Sequence, residues 1–126
     1  MEETEHLRAA RATRRSVLGD AYVDAATADA APAARDLQDH ITAMAWGAWA
    51  REGSLSTRDR SLLVLAMTAA LGRMEEFALH AGTTSRTGVS DDELDELLFM
   101  IAGYCGAPAA VAARRALRTV RDGQQA

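Results

Sequence analysis

The stretch TRDRSLLVLAMTAALGRMEEFALHAGTTSRTG, residues 57–88, decides the fold class of this chain. It follows Ser56, a residue type that favours helix N-caps, and it is apolar almost all round between Arg60 and Gly72. This pattern predicts a central helix that is buried on all sides. The charged segment from Gly72 predicts a second helix that ends at Gly88, because glycine is favoured just after a helix C-terminus.

The rest of the chain continues this pattern of helices separated by short turns, with no strand pattern of period two. Pro32 can open a helix, and Ser90 with Glu93 forms the signature of a capping box. The other predicted helices cover about residues 3–17, 20–30, 32–50, 90–105 and 106–121. We therefore predict an all-α fold of about six to seven helices in a single domain, residues 1–126, with a frayed tail at 122–126.

The composition predicts a core that is poor in large side chains. Hydrophobic residues make up 48% of the chain, a normal globular share, but Phe, Trp and Tyr contribute only two residues each. Such a core needs close contacts between helices or additional burial between subunits. We therefore expect a homo-oligomer.

Several function classes are excluded by residue types that are missing. All 14 basic residues are arginine, so no lysine can form a Schiff base. The net charge of −4 and the lack of a basic run make nucleic acid an unsuitable partner. Cys105 is the single cysteine, so there is no intrachain disulfide and no CxxC pair. Its place on an apolar stripe predicts an inert core residue.

No segment is long enough to predict a membrane span. The longest apolar run, residues 62–71, has about ten residues, whereas a spanning helix needs about twenty. The N-terminal sequence MEETEHLRAARATRR lacks the apolar centre of a signal peptide. We expect a cytoplasmic protein that makes no contact with membranes.

Arg73, Glu76 and His80 are spaced three and four residues apart, which places them on one stripe of a helix. Glu75 lies off this stripe and is expected to face solvent. A carboxylate one turn before an imidazole can orient the ring and raise the pKa of the histidine. The same spacing is also that of an ordinary surface pair. A metal site is a weaker interpretation, because only His40 is left as a third ligand.

Other candidates also have two interpretations. Arg58 and Arg60 flank a helix start, where they are either solvated side chains or the basis of an anion site. Trp46 is either a core residue or the apolar wall of a pocket, and Tyr22 is either half-buried or offers its phenol to a ligand.

Five segments in the same order resemble the 4-carboxymuconolactone decarboxylase family, and the likeness runs from about residue 10 to about residue 120. These segments are RRSVLGDAYVDAA (residues 14–26), AWG (45–47), LSTRDRSLLVLAM (55–67), LGRMEEFALH (71–80) and YCGAPAAVAA (104–113). The resemblance implies an all-helical fold that assembles into rings, usually hexamers built from trimers or dimers. It also implies the removal of CO2 from 4-carboxymuconolactone to give β-ketoadipate enol-lactone in protocatechuate catabolism, with no cofactor.

The wider superfamily includes alkylhydroperoxidase-like proteins, which carry CxxCxxxH on the matching helix and a glutamate on the preceding helix. The histidine matches His80, but the two cysteine positions fall on Arg73 and Glu76, and the glutamate position falls on Ser61. Thiol peroxidase chemistry therefore lacks its sulfur atoms here, and the resemblance is to the decarboxylase branch.

The chemistry of that reaction suggests roles for a set of residues. For a dicarboxylate lactone as substrate, we expect His80 to be the general acid and Glu76 to orient it. The expected substrate-binding residues are Arg73, Arg60, Arg58, Trp46 and Tyr22; Arg60 and Arg73 are favoured for the carboxylate, and Tyr22 stands where histidine is frequent in the family.

Two other functions stay open at the level of the sequence. One is an enzyme of the same fold that acts on a related lactone or a β-keto acid. The other is a non-catalytic oligomeric binding protein, which a fully solvated stripe around His80 would favour.

Overall fold

The computed structural model describes residues 3–125, and all regular secondary structure in this range is helical. The helices are α1 (Glu5–Leu18), α2 (Asp20–Thr27), α3 (Pro32–Ile41), a π-helical segment (Thr42–Trp46), α4 (Gly47–Ala50), α5 (Thr57–Ala70), α6 (Met74–Ala81), α7 (Thr84–Thr87), α8 (Asp91–Cys105) and α9 (Ala107–Gln125). The predicted all-α class is therefore confirmed. None of these helices has both the length and the apolar character that crossing a membrane requires.

The chain forms two compact units, Met1–Ser54 and Leu55–Ala126, which we call the N-terminal and the C-terminal unit. Each unit has its own packed helices, and the prediction of a single domain stays a prediction.

In the N-terminal unit, α1 packs against the π-helical segment and α4. Thr4 caps α1, since its side chain accepts a hydrogen bond from the Leu7 amide at 3.1 Å. The buried face of α1 carries Leu7, Ala10 and Val17, and Arg14 lies in the same register. This unit therefore buries a charged side chain within its apolar stripe.

The predicted helix over residues 32–50 is confirmed in extent, but the five residues Thr42–Trp46 in its middle are π-helical. The His6 ring donates from Nε2 to the Ala43 carbonyl oxygen at 2.8 Å, which ties α1 to this segment. A Cβ atom at Gly47 would lie 2.5 Å from His6 Nε2, so a larger residue there would push the His6 ring away from its hydrogen bond to Ala43.

In the C-terminal unit, both predicted helix starts are confirmed. Ser56 accepts a hydrogen bond from the Asp59 amide at 3.1 Å, and Ser90 forms a reciprocal capping box with Glu93. The helices α5, α6, α8 and α9 enclose an apolar core. Its fully or nearly fully buried large side chains are Leu65, Phe77, Leu94, Ile101 and Leu117.

Two predictions for residues 57–88 are wrong. The helix α5 buries one face only, because Leu63 and Met67 on its other side remain exposed. The segment after it is also not one helix, since α6 ends at Ala81 and only the single turn of α7 follows. The Thr83 hydroxyl donates to the His80 carbonyl oxygen at 2.7 Å and so competes with continued helical hydrogen bonding.

Two predictions for the C-terminal helices are also wrong. Cys105 is exposed rather than buried, because it is the last residue of α8 and lies where the apolar stripe leaves the core. Residues 122–125 are helical rather than frayed, while Ala126 lies outside the described residues. Arg121 donates to Asp95 at 2.8 Å and holds the last turns of α9 against α8.

Candidate active site

His80 lies at the C-terminal end of α6 and is only 7% exposed. Burial lowers the pKa of its imidazole below the ordinary value of 6.5, because an apolar environment disfavours the charged ring. His80 is therefore predominantly neutral at pH 7. A fully solvated histidine, as a simple surface pair would provide, is not what the structure shows.

The other two members of the predicted stripe are exposed. Arg73 is the N-cap residue of α6 rather than part of it, and within residues 3–125 the side chain of Glu76 makes no hydrogen bond and no ion pair. The prediction that Glu76 raises the pKa of His80 is therefore wrong, since burial dominates and acts in the opposite direction. Glu75 is exposed as well, so burial does not distinguish it from Glu76.

The arginines at the start of α5 differ from each other in their contacts. Arg58 pairs with Asp59 at 3.3 Å and also with Glu93 at the start of α8. Its charge is thus matched by two carboxylates, and a substrate carboxylate would have to compete with them. Arg60 is half-buried and lies two residues further along α5.

A group of buried hydroxyls in the C-terminal unit was missed by the sequence analysis. Thr87 donates through Oγ1 to Ser61 Oγ at 3.0 Å, and both side chains are buried. Thr83 and Thr84 lie a few residues before Thr87 in the sequence and are also buried. Each of them donates through its hydroxyl to a carbonyl oxygen of α6. The run of hydroxyl residues after His80 was the available signal. Ser61 is therefore a buried neutral group that is held by a hydrogen bond.

Two predicted substrate-binding residues belong to the N-terminal unit. Trp46 is buried, and its ring stacks on Trp49 with 5.2 Å between centroids and an interplanar angle of 29°. Tyr22 is 44% exposed. Its phenol is close enough to Arg14 to oppose the lowering of the Arg14 pKa, whose largest cause is burial. A structural role for Trp46 and an accessible phenol on Tyr22 are therefore both compatible with the geometry.

Arg14 was not a predicted site residue. Its position in the same helical register as Leu7, Ala10 and Val17 could have identified it, because a charge on an apolar stripe is unusual.

The structure offers no group of ligands for a metal ion within residues 3–125, since no three His, Cys, Asp or Glu side chains come together there.

Comparison with known proteins defines the class. The sequence profile of the carboxymuconolactone decarboxylase family matches residues 35–119, which include α5, α6 and His80. The chain therefore belongs to this family, as the resemblance predicted.

Two characterised relatives narrow the reaction type. The chain is 34% identical over 114 residues to a 4-carboxymuconolactone decarboxylase of Acinetobacter baylyi, covering 90% of this chain and 84% of that protein. It is 38% identical over 101 residues to the nitrosuccinic acid decarboxylase npaB of Metarhizium robertsii, covering 79% of this chain and 70% of that protein. Family and relatives together make the chain a decarboxylase, that is, a carboxy-lyase.

Proposed function

We propose that this decarboxylase converts 4-carboxymuconolactone to β-ketoadipate enol-lactone in protocatechuate catabolism, without a cofactor. The observation that carries the proposal is the similarity to the Acinetobacter baylyi enzyme over 90% of the chain. The non-catalytic binding protein is no longer a candidate, because both relatives are enzymes that remove a carboxyl group.

The chemistry of the substrate explains why such an enzyme can work with side chains alone. The bond between the ring carbon and its carboxylate breaks, CO2 leaves, and the electron pair passes through the ring double bond to the lactone carbonyl. A proton is then added to carbon, which gives the enol-lactone. The substrate is its own electron sink, so the protein has to bind the remaining carboxylate, stabilise the oxyanion and supply the proton.

A second substrate is favoured by the other relative. Nitrosuccinic acid is also a dicarboxylic acid, and its nitro group can accept the electron pair that decarboxylation releases. The two named substrates therefore share two carboxylates and a built-in electron sink. The proposal for this chain is accordingly a small dicarboxylate of this kind, with carboxymuconolactone as the first substrate to test.

His80 is the proposed proton donor. It is the buried titratable group of α6, and in the absence of ligand its pKa is lowered by burial. A dicarboxylate that binds beside it would favour the charged ring and so raise the pKa again, because opposite charges stabilise the protonated form. The ring would then take up a proton as substrate binds and deliver it to carbon after CO2 has left.

Arg60 and Arg73 are the proposed ligands of the surviving carboxylate. Arginine presents two parallel donors that match a carboxylate, and within residues 3–125 the side chain of Arg73 makes no ion pair. Arg58 is a weaker choice because two carboxylates already hold it. Contributions of Glu76, Trp46 and Tyr22 stay predictions for mutagenesis.

A second copy of this chain is the proposed partner of the apolar surface on the C-terminal unit. The single chain leaves large hydrophobic side chains of α5, α8 and the following turns exposed to water. These residues are Leu63, Met67, Leu71, Phe99, Met100 and Tyr104. An apolar surface of this kind is typical of subunit interfaces, and a ring-like homo-oligomer would cover it.

The direct test uses purified protein with enzymatically prepared 4-carboxymuconolactone and measures enol-lactone and CO2 together. We expect turnover by the wild-type protein and its loss in His80→Gln, provided that circular dichroism shows the variant to be folded. Wild-type protein that does not exceed the uncatalysed rate would eliminate this substrate. Turnover of nitrosuccinate in the same assay would assign the second substrate instead.

A further inference from the structure

The N-terminal unit contains a cavity of about 490 Å³ whose wall is rich in arginine. Its charged lining residues are four arginines and one aspartate, which gives a net charge of +3. Much of the remaining wall consists of short side chains of α2, of α3 and of the turn between them. The volume is in the range of small-molecule pockets, which is roughly 300–1,000 Å³.

Two of the four arginines already have carboxylate partners. Arg11 donates to Asp39 at 2.7 Å and also pairs with Glu3. Arg15 pairs with Asp24 at 2.8 Å and with Asp20 at 3.1 Å. These pairs lie within or beside the cavity wall and hold the two side chains in place.

Arg14 differs from both of them. It is only 9% exposed, yet within residues 3–125 its side chain makes no hydrogen bond and no ion pair. Burial lowers the pKa of Arg14, Tyr22 opposes this effect, and the like charge of Arg15 adds to it. The guanidinium nevertheless stays charged, because arginine is not deprotonated in proteins. A buried charge without a counter-charge is costly, so this arrangement favours an anion as the missing partner.

Neutral donors complete the wall around Arg14. Gln38 donates through Nε2 to Thr42 Oγ1 at 3.0 Å, which leaves the Thr42 hydroxyl hydrogen for another acceptor. Thr42 begins the π-helical segment, a kind of distortion that often occurs at functional sites. Arg35 lines the same cavity and makes no ion pair within the described residues.

We infer that this cavity binds a small organic acid, with Arg14 clamping one carboxylate and with Arg35 and Thr42 as additional donors. The planar fork of arginine matches the two oxygens of a carboxylate. The short side chains of the wall, including Ala26, Ala30 and Ala34, leave room for the carbon skeleton of the acid. The inference does not depend on the proposed substrate, because binding is measured without turnover.

The test titrates the intact protein with sodium succinate in a calorimeter and in NMR spectra of the arginine side chains, at constant ionic strength. Arg14→Met keeps most of the side-chain volume and removes the charge. Arg118→Gln is the matched control, since it removes one arginine from the exposed face of α9. We expect saturable binding, a shift of the Arg14 Nε–H signal, and an affinity that falls about tenfold or more in Arg14→Met but less than about twofold in the control.

The same variants distinguish ligand binding from a structural role. Without succinate, Arg14→Met is expected to melt at the same temperature as wild type or higher, because an unpaired buried charge has been removed. Unchanged succinate affinity in Arg14→Met, or no saturable binding to wild type, would overturn the inference. If Arg14→Met does not fold, the succinate affinity of Arg35→Gln is measured instead. An affinity equal to that of Arg118→Gln would then overturn the inference.

Two further arms identify the anion and its source. Sodium sulfate that binds as tightly as succinate would overturn the assignment of a carboxylate. Competitive inhibition of decarboxylation by succinate that weakens in Arg14→Met together with the binding shows that the site takes a carboxylate of the substrate. Succinate that binds without inhibition shows that the site takes a separate organic acid, and both results support the inferred site.

Discussion

The burial of His80 makes the stability of the fold depend on pH, with a sign that follows from the structure. The side chain is 7% exposed, and burial lowers its pKa below 6.5. Between the folded-state pKa and 6.5, the unfolded chain binds a proton that the folded chain does not bind. The contribution of neutral His80 to stability is therefore complete above about pH 6.5 and is lost as the pH falls through the window below it.

The magnitude is bounded by proton linkage. One side chain changes the free energy of unfolding by at most about 1.4 kcal/mol for each pH unit within this window. A domain of this size has a total stability of roughly 5–15 kcal/mol, so the effect is well within reach of a denaturation experiment. His80→Gln removes the titrating group and should remove this part of the pH dependence.

The assay is urea denaturation followed by far-UV circular dichroism, which reports on the helices of both units, between pH 7.5 and pH 5. Wild type and His80→Gln are compared with His40→Gln, which removes an exposed histidine from α3. We expect the control to follow the wild type, while the curve of His80→Gln is flatter below pH 6.5. Identical slopes for wild type and His80→Gln would show that His80 is not buried in its neutral form.

Three other predictions concern neighbouring features. Glu76→Gln should lower kcat more than Glu75→Gln in the decarboxylation assay, and equal effects would remove Glu76 from the site. Ser90→Ala should lower the free energy of unfolding by about 1 kcal/mol, because the capping box is lost, and urea denaturation measures this. Gly47→Ala should destabilise by about 0.5–1.5 kcal/mol, because the His6 ring has to leave its hydrogen bond to Ala43. In a His6→Ala background the same change should become neutral or stabilising, and a double-mutant cycle that shows no coupling would contradict the contact.

The features predicted correctly from sequence are those whose cause is local. Ser56 and Ser90 cap their helices because a hydroxyl can reach an amide three residues further on, whatever the rest of the fold does. Gly88 adopts φ of 89°, as expected for a glycine that follows a helix end. The family resemblance was confirmed for a related reason, since it rests on ordered segments along the chain rather than on contacts.

The features missed from sequence depend on what covers each helix face. The apolar composition of α5 predicted burial on all sides, yet only its Ser61, Leu65 and Ala69 face is fully buried in the single chain. The break after Ala81 depends on the Thr83 hydroxyl, which competes for a carbonyl oxygen with the hydrogen bonds of a continued helix. The periodicity of apolar residues does not reveal this competition. Arg14 was missed because its lack of a counter-charge becomes visible only when its neighbours are placed in space.

The burial of His80 also constrains how a dicarboxylate substrate would be used. A histidine kept charged by Glu76 would be protonated before substrate arrives, whereas the observed His80 is predominantly neutral at pH 7 and becomes charged only at a cost. A substrate that brings negative charge lowers this cost, so binding and proton uptake are coupled. The rate of the free enzyme with dilute substrate should then increase as the pH falls toward the lowered pKa of His80, while saturating substrate should make the rate less sensitive to pH. A kcat/KM profile that is flat below pH 6.5 would assign the proton to another donor.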